Sequence, residues 1–507
     1  MSQLRPIKLV VTNQSALRRL YGGRHGEVYR ALRDLCIADR RRGLDTRVVR
    51  LDVKKDMARY RAPRVARALD EPSVKRAIDS LWKSLRPQYL VIVGAPDIVP
   101  HQTLAKGIDT TDDKLIPSDL PYACDAPYSD DATEFVLPTR LVGRIPGITG
   151  HKTPTALVAA IRSATRWRPR SRRHYDVPLA VSVKIWKKAT TLSLREVFGT
   201  ARGLQLVPPK SFRWTQRQIS RRAHYLNCHG VDGEGVFEGQ YGDFYPTAHE
   251  SMYVAKKIRE GTVAAAACCY GAQLYDPART GSKEPIVNAY LRYGAYAYFG
   301  SSTSVWGSSD VNELGNLLCQ MFFHHVRLGV PSGRAVLEAR LQYLRTHSPP
   351  LPVDLLTVAQ FGLFGDPSVH PILPSGVTCA AAGPVPTRVH REFARREQAC
   401  VPSDSVGSMP GGQIVPTLCE VPKARVQGKI TRALQDEIKS VGGTAGKIRT
   451  YTLKPMPGGG GLASTQSVHV ASSEVGKDPR GRVRRVLVVA QAEAGKVVSV
   501  RVLRSGG

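Results

Sequence analysis

The apolar residues of this chain come in short packets, and their length limits the folds open to it. Ile7–Val11, Thr46–Leu51, Tyr89–Val93, Leu179–Ile185, His224–Asn227, Val263–Ala267 and Ala295–Gly300 each run for only four to seven residues. Such runs suit buried strands of a parallel sheet, and the longer segments between them suit crossover helices. Gly26–Arg41 puts Val28, Leu32, Leu35 and Cys36 roughly on one face, and Ser73–Leu85 does the same with Val74, Ile78, Leu81 and Trp82. The spacing predicts an α/β fold: parallel sheets flanked by helices with right-handed crossovers, in two subdomains. Further helices are expected over 149–167, 252–259, 284–293, 310–327 and 333–346.

Composition shifts divide the chain. Residues 1–170 read as an N-terminal α/β subdomain whose loop over 98–150 is acidic, with DTTDD, SDLPYACD and YSDD. The basic run RWRPRSRRHYD leads into a second α/β subdomain, 176–375. Residues 376–415, rich in Pro, Ala, Gly and Arg, read as a linker. Residues 416–507 hold one helix within 423–443 and then segments alternating at period two, which predicts a mainly β antiparallel module, a small sandwich.

The formal charge of +31 permits a nucleic-acid or acidic partner but names none. Nine cysteines at irregular spacing contain no CxxC pair, which disfavours a structural zinc site and a disulfide framework. No segment has the apolar length of a membrane span, and the first residues lack a signal-peptide core, so a reducing, cytoplasmic setting is the expectation. No cofactor or metal is expected, since the acidic loops lack calcium-site spacing.

Two packets end in reactive side chains. AHYLNCHG delivers His229 and Gly230, and VAAAACCYG delivers Cys268 and Cys269. Ligands and chemistry collect where parallel strands end. An imidazole beside a thiol makes a thiolate accessible near neutral pH, and nearby backbone N–H groups can stabilise an acyl oxyanion. Gly230 lets backbone approach a scissile carbonyl with no Cβ in the way. Taken singly, each residue has a plainer reading: a buried cysteine is ordinarily a small hydrophobe, and a lone histidine satisfies a local hydrogen bond.

Seven stretches, in order, resemble the gingipain-type family of caspase-like (clan CD) cysteine peptidases: YLVIVGAPDIVP, SDLPYACD, LVGRIPGIT, NCHG, ACCYG, YAYFGSSTSVWG and FGLFGDPSVH. The resemblance covers about residues 1–375 and implies a cysteine endopeptidase acting through a Cys–His dyad and a thioester acyl-enzyme. It makes His229 the base and Cys268 the nucleophile, with Cys269 at the variable position of ACxxG. It implies an upstream acid steadying the histidine, for which Asp109, Asp112 and Asp113 are candidates, Asp109 first. Asp119 takes the place of the family's aspartate beside the pocket for a basic P1 side chain. Trp306 takes that of the pocket's aromatic wall, with Ser302, Thr303 and Ser304 on the adjoining strand edge. A carboxylate under a flat ring suits a guanidinium, so cleavage after Arg or Lys is the expectation. The partners implied are a protein or peptide substrate and a regulatory protein, with no membrane. The alternative is a catalytically silent scaffold that keeps the fold and binds nucleic acid or an acidic protein through its basic surface.

Overall fold

The computed structural model describes residues 5–108, 113, 115–210, 213–347, 350–373, 418–420, 426–444, 446, 448–453, 466–477, 483–493 and 496–505. Ten strands form one sheet in the order Asp45–Arg50, Ile7–Thr12, Tyr89–Val93, Leu141–Ile145, Phe361–Gly365, Ala297–Ser301, Val263–Ala266, Ala223–Asn227, Leu179–Val183, Leu204–Val207. The first five are mutually parallel, as are the last five. The two sets run antiparallel to each other across the seam between Phe361–Gly365 and Ala297–Ser301. The α/β units on either side of residue 170 therefore share a single sheet. The seam also puts the strand C-termini of the two sets along opposite edges of it.

The helices form where the apolar period is helical. In Glu71–Leu85 the buried positions are Val74, Ala77, Ile78, Leu81 and Leu85, Pro72 sits in the first turn, and Arg86 (φ 43°) ends the helix in the left-handed region. Each such apolar side chain buried against the sheet contributes about 1.5–3 kcal/mol. Leu314–Arg327 and Ser332–Thr346 cover the face of the second set that carries Tyr225 and Ala265. The helix expected over 252–259 stops after Ser251–Val254, because Lys256 adopts φ 57° and turns the chain out of helical geometry.

A buried ion cluster bolts the first strand to the last. Lys8 Nζ reaches Asp366 Oδ2 at 2.6 Å and also pairs with Asp39, all three fully buried. Asp366 Oδ1 accepts from the amide (2.9 Å) and hydroxyl (2.7 Å) of Ser368. Burial alone would raise the Asp366 carboxyl, but Lys8 and Ser368 hold it below its ordinary range. The GDP stretch at 365–367 is thus a structural clasp.

Among the described residues the C-terminal stretch forms one antiparallel sheet, Trp306–Gly307, Lys496–Ser505, Val483–Glu493, Gln466–Lys477, Ile448–Leu453, Leu418–Glu420, whose outermost strand comes from the second α/β unit. In place of a second sheet, its second layer is the helix Gly428–Ser440, which buries Ile430, Leu434 and Ile438 against Ala471, Val488 and Ala490. The alternate residues Val470, Leu487, Val489 and Leu503 face the other way and join the apolar cluster that contains Tyr225 and Ala265. Period-two alternation here separates two buried faces. Among the described residues no helix is long and apolar enough to cross a membrane.

Candidate active site

Side chains alternate between the two faces of a sheet, and that parity sorts the two cysteines. Ala264, Ala266 and Cys268 belong to the cluster on one face, with Leu226 and Cys228 of the neighbouring strand. Ala265, Ala267 and Cys269 belong to the cluster on the other, with Tyr225. The two strands pair in parallel with Leu226 beside Ala266, and the Ala267 N–H donates to Leu226 O at 2.8 Å. Continued three residues, that register sets His229 beside Cys269. The backbones do meet there, for a Cβ on Gly230 would lie 1.7 Å from Cys269 O. Glycine at 230 is needed for this approach of one strand end to the other, a different reason from the access to substrate read in the sequence.

The thiols differ accordingly. Cys268 Sγ accepts the Cys228 N–H at 3.3 Å, and burial, reinforced by the Cys228 thiol, pushes its pKa well above the ordinary thiol range. A proton on that sulfur is expensive to remove. Cys269 Sγ accepts the Val305 N–H at 3.1 Å and its S–H points back to Val305 O at 3.6 Å. Cys269 lines a pocket with Trp186, Asn227, Val305, Trp306 and Arg504, and Cys268 does not. Cys269, rather than Cys268, thus shares its pocket with Trp186, the ring that packs on His229.

His229 is 5% exposed and held on three sides. Its ring packs on Trp186, centroids 4.7 Å apart, and meets Tyr245 edge-on at 5.4 Å. Its Nε2 lies 2.9 Å from Gln240 Oε1. The Gln240 amide nitrogen donates to Gly242 O at 3.2 Å, which orients the amide oxygen towards the ring. An acceptor at that place favours the tautomer with its proton on Nε2. Gln240 was not among the residues expected at the ring, and nothing in the run EGQYGDF marks it. Asp109 and Asp112 lie outside the described residues. Asp113 is described and sits elsewhere in the site, accepting from Tyr270 Oη and Ser304 N, each at 3.1 Å.

Asp119 is held in a buried ion pair. Arg144 donates to both of its oxygens, at 2.7 and 2.6 Å, and His101 Nδ1 lies 2.9 Å from Oδ1. Burial would raise its carboxyl, but Arg144 and then His101 hold it far below the usual carboxylate range. Arg144 belongs to the first strand set, and its guanidinium also caps Gly94 O and Val99 O at that set's edge. Ser302, Thr303 and Ser304 act as bolts: Ser302 Oγ donates to Pro117 O (2.7 Å), Thr303 Oγ1 to Gln360 Oε1 (2.7 Å) and Ser304 Oγ to Tyr270 Oη (3.1 Å). Trp306, buried at 2% exposure, lines the same pocket as Cys269. Trp186, Gln240, Tyr245 and Val305 escaped the sequence reading, because each acts through a contact between segments far apart in the chain.

Two solved structures are similar in overall path. One, described as the structure of a protease, is 12% identical over 98% of this chain and 97% of the other, with a TM-score of 0.45. The other, the Arg-specific cysteine proteinase gingipain R, is 10% identical over the same shares, with a TM-score of 0.46. Comparison with curated proteins gives no match. Residues 246–372 match the model of peptidase family C25. That stretch carries the cysteine pair, the Ser302–Trp306 edge and the Asp366 clasp, and over it the chain is similar to peptidase family C25.

Proposed function

We propose that the protein is a cysteine endopeptidase in which Cys269 is the nucleophile and His229 the base. The observation that carries this reading is the shared face and register of these two residues at adjacent strand ends, over a pocket that holds the thiol. His229 Nδ1 takes the thiol proton, and the sulfur attacks the scissile carbonyl carbon to form a C–S bond. The tetrahedral intermediate collapses with rupture of the C–N bond, and His229 gives its proton to the leaving amine. Water, deprotonated by the same imidazole, then hydrolyses the thioester and restores the thiol. Gln240 keeps Nε2–H engaged throughout, so the ring cannot present the wrong nitrogen.

A basic residue at P1 remains the preference supported best. The Trp306 indole offers a flat wall, and Asp113, held on Ser304 N, puts a carboxylate next to the same strand. Asp113 replaces Asp119 in this role, since Asp119 is already committed to Arg144. The test is a panel of fluorogenic peptides varied at P1, assayed with wild type, Cys269→Ala and Asp113→Asn. Hydrolysis after Arg or Lys that vanishes in Cys269→Ala supports the reading. Equal rates across all P1 residues would refute the basic preference, and activity in Cys269→Ala would refute the nucleophile.

A further inference from the structure

The backbone edge beside the thiol is already occupied by the chain itself. Trp306–Gly307 pairs antiparallel with the strand Lys496–Ser505, Trp306 opposite Ser505 and Gly307 opposite Arg504. Val305, the next residue along that edge, is the one whose N–H and C=O hold Cys269 Sγ. From Arg504 to Ser505 the strand therefore advances towards the thiol. A peptide to be cleaved needs an extended backbone there, pairing with the open edge and delivering its carbonyl past Trp306. Arg504 lines the same pocket as Cys269 and Trp306.

This contact is anchored. Lys496–Ser505 is paired along its other side with Val483–Glu493, so it sits inside a sheet rather than trailing from one. Leu503 is fully buried in the apolar cluster that contains Cys269, Trp306 and Phe361. Two charged contacts fasten the module on either side of the dyad. Arg501 lies 3.5 Å from Glu313. Arg484 pairs with Asp243 at 2.7 Å and stands over Tyr245, the ring that meets His229 edge-on.

We propose that the strand Lys496–Ser505 is a cis-acting inhibitor of the site, occupying the edge that a substrate peptide must use, and that activity requires its displacement. The inference rests on the peptidase reading and adds its regulation. Displacement exchanges one antiparallel pairing for another, so a substrate competes with a segment of effectively high local concentration.

The test compares full-length wild type, Arg484→Glu/Arg501→Glu and the charge-keeping Arg484→Lys/Arg501→Lys. Three readouts are taken: hydrolysis of a short Arg peptide, labelling by a peptidyl acyloxymethyl ketone, and alkylation of Cys269 by iodoacetamide, which needs no strand edge. The Glu variant is expected to hydrolyse and take up the peptidyl probe roughly tenfold faster or more than the other two. Wild type taking the peptidyl probe as fast as the Glu variant overturns the inhibition but leaves the peptidase standing. Iodoacetamide alkylating Cys269 no faster in any of the three proteins than in His229→Ala overturns the dyad, and the proposal with it. Hydrogen exchange in wild type serves if the Glu variant fails to fold. Saturation with the peptidyl ketone should deprotect the Arg504 and Ser505 amides, and unchanged protection with the probe bound overturns the proposal.

Discussion

Replacing Cys268 and Cys269 one at a time by alanine separates a structural thiol from a reactive one. Cys268 is fully buried, and its sulfur is the acceptor for the Cys228 N–H. Its removal leaves a small void, about 1–2 kcal/mol, and an amide without its acceptor, about 1 kcal/mol more. Cys268→Ala should therefore be about 2–3 kcal/mol less stable, melt a few degrees lower, and keep wild-type turnover per folded molecule. Cys269→Ala should lose a comparable amount of stability, because its sulfur is 1% exposed and accepts the Val305 N–H. It should also lose hydrolysis by roughly 10⁴-fold or more, the scale of losing a nucleophile. Thermal melts with turnover normalised to titrated sites make the comparison, and mass spectrometry of the protein treated with peptidyl ketone locates the modified sulfur. A folded Cys268→Ala protein without activity, beside an active Cys269→Ala protein, would refute the parity argument.

Three further outcomes follow from the geometry. Gln240→Leu should lower kcat by about 10–100-fold with KM nearly unchanged, because the imidazole loses the acceptor that orders its tautomer, and Gln240→Glu should recover part of the loss. Trp214, His249, Tyr290 and His224 form a one-way hydrogen-bond chain ending on Arg221 O, with burial driving His224 down to about 4 and His249 down to about 3. Both rings are neutral when folded, so their full contribution is present above about pH 6.5. It falls by about 1.4 kcal/mol per ring per pH unit as pH drops towards the folded values, a slope that denaturant melts between pH 7 and 4 would register. Asp366→Asn leaves the buried Lys8 with Asp39 as its remaining ion-pair partner and should cost about 3 kcal/mol, whereas the paired replacement Lys8→Met/Asp366→Leu should recover part of it, as a double-mutant cycle would show.

The ten-strand sheet was largely legible in the sequence because it is built from local signals. Short apolar packets and 3.6-residue periods mark strands and helices without knowledge of what they touch. The same locality located His229 and the cysteine pair at strand ends, and Trp306 on the following edge. Asp119 shows where that reasoning stops. Its motif is visible in the sequence, but Arg144, on a strand 25 residues further on, takes the carboxylate together with His101. No spacing within SDLPYACD encodes that.

What the sequence by itself determined, then, is which residue types stand at the ends of which strands, since hydrophobic period and strand length are properties of neighbours along the chain. Only the tertiary structure separates the adjacent cysteines onto opposite faces, because a one-residue step reverses the face of the sheet and what each face meets depends on the neighbouring strands. It also decided that Gln240, more than a hundred residues from the acids first considered, meets His229. The last strand of the chain lies across the thiol's backbone edge because two distant edges there satisfy each other's hydrogen bonds, a relation between segments that no local pattern records.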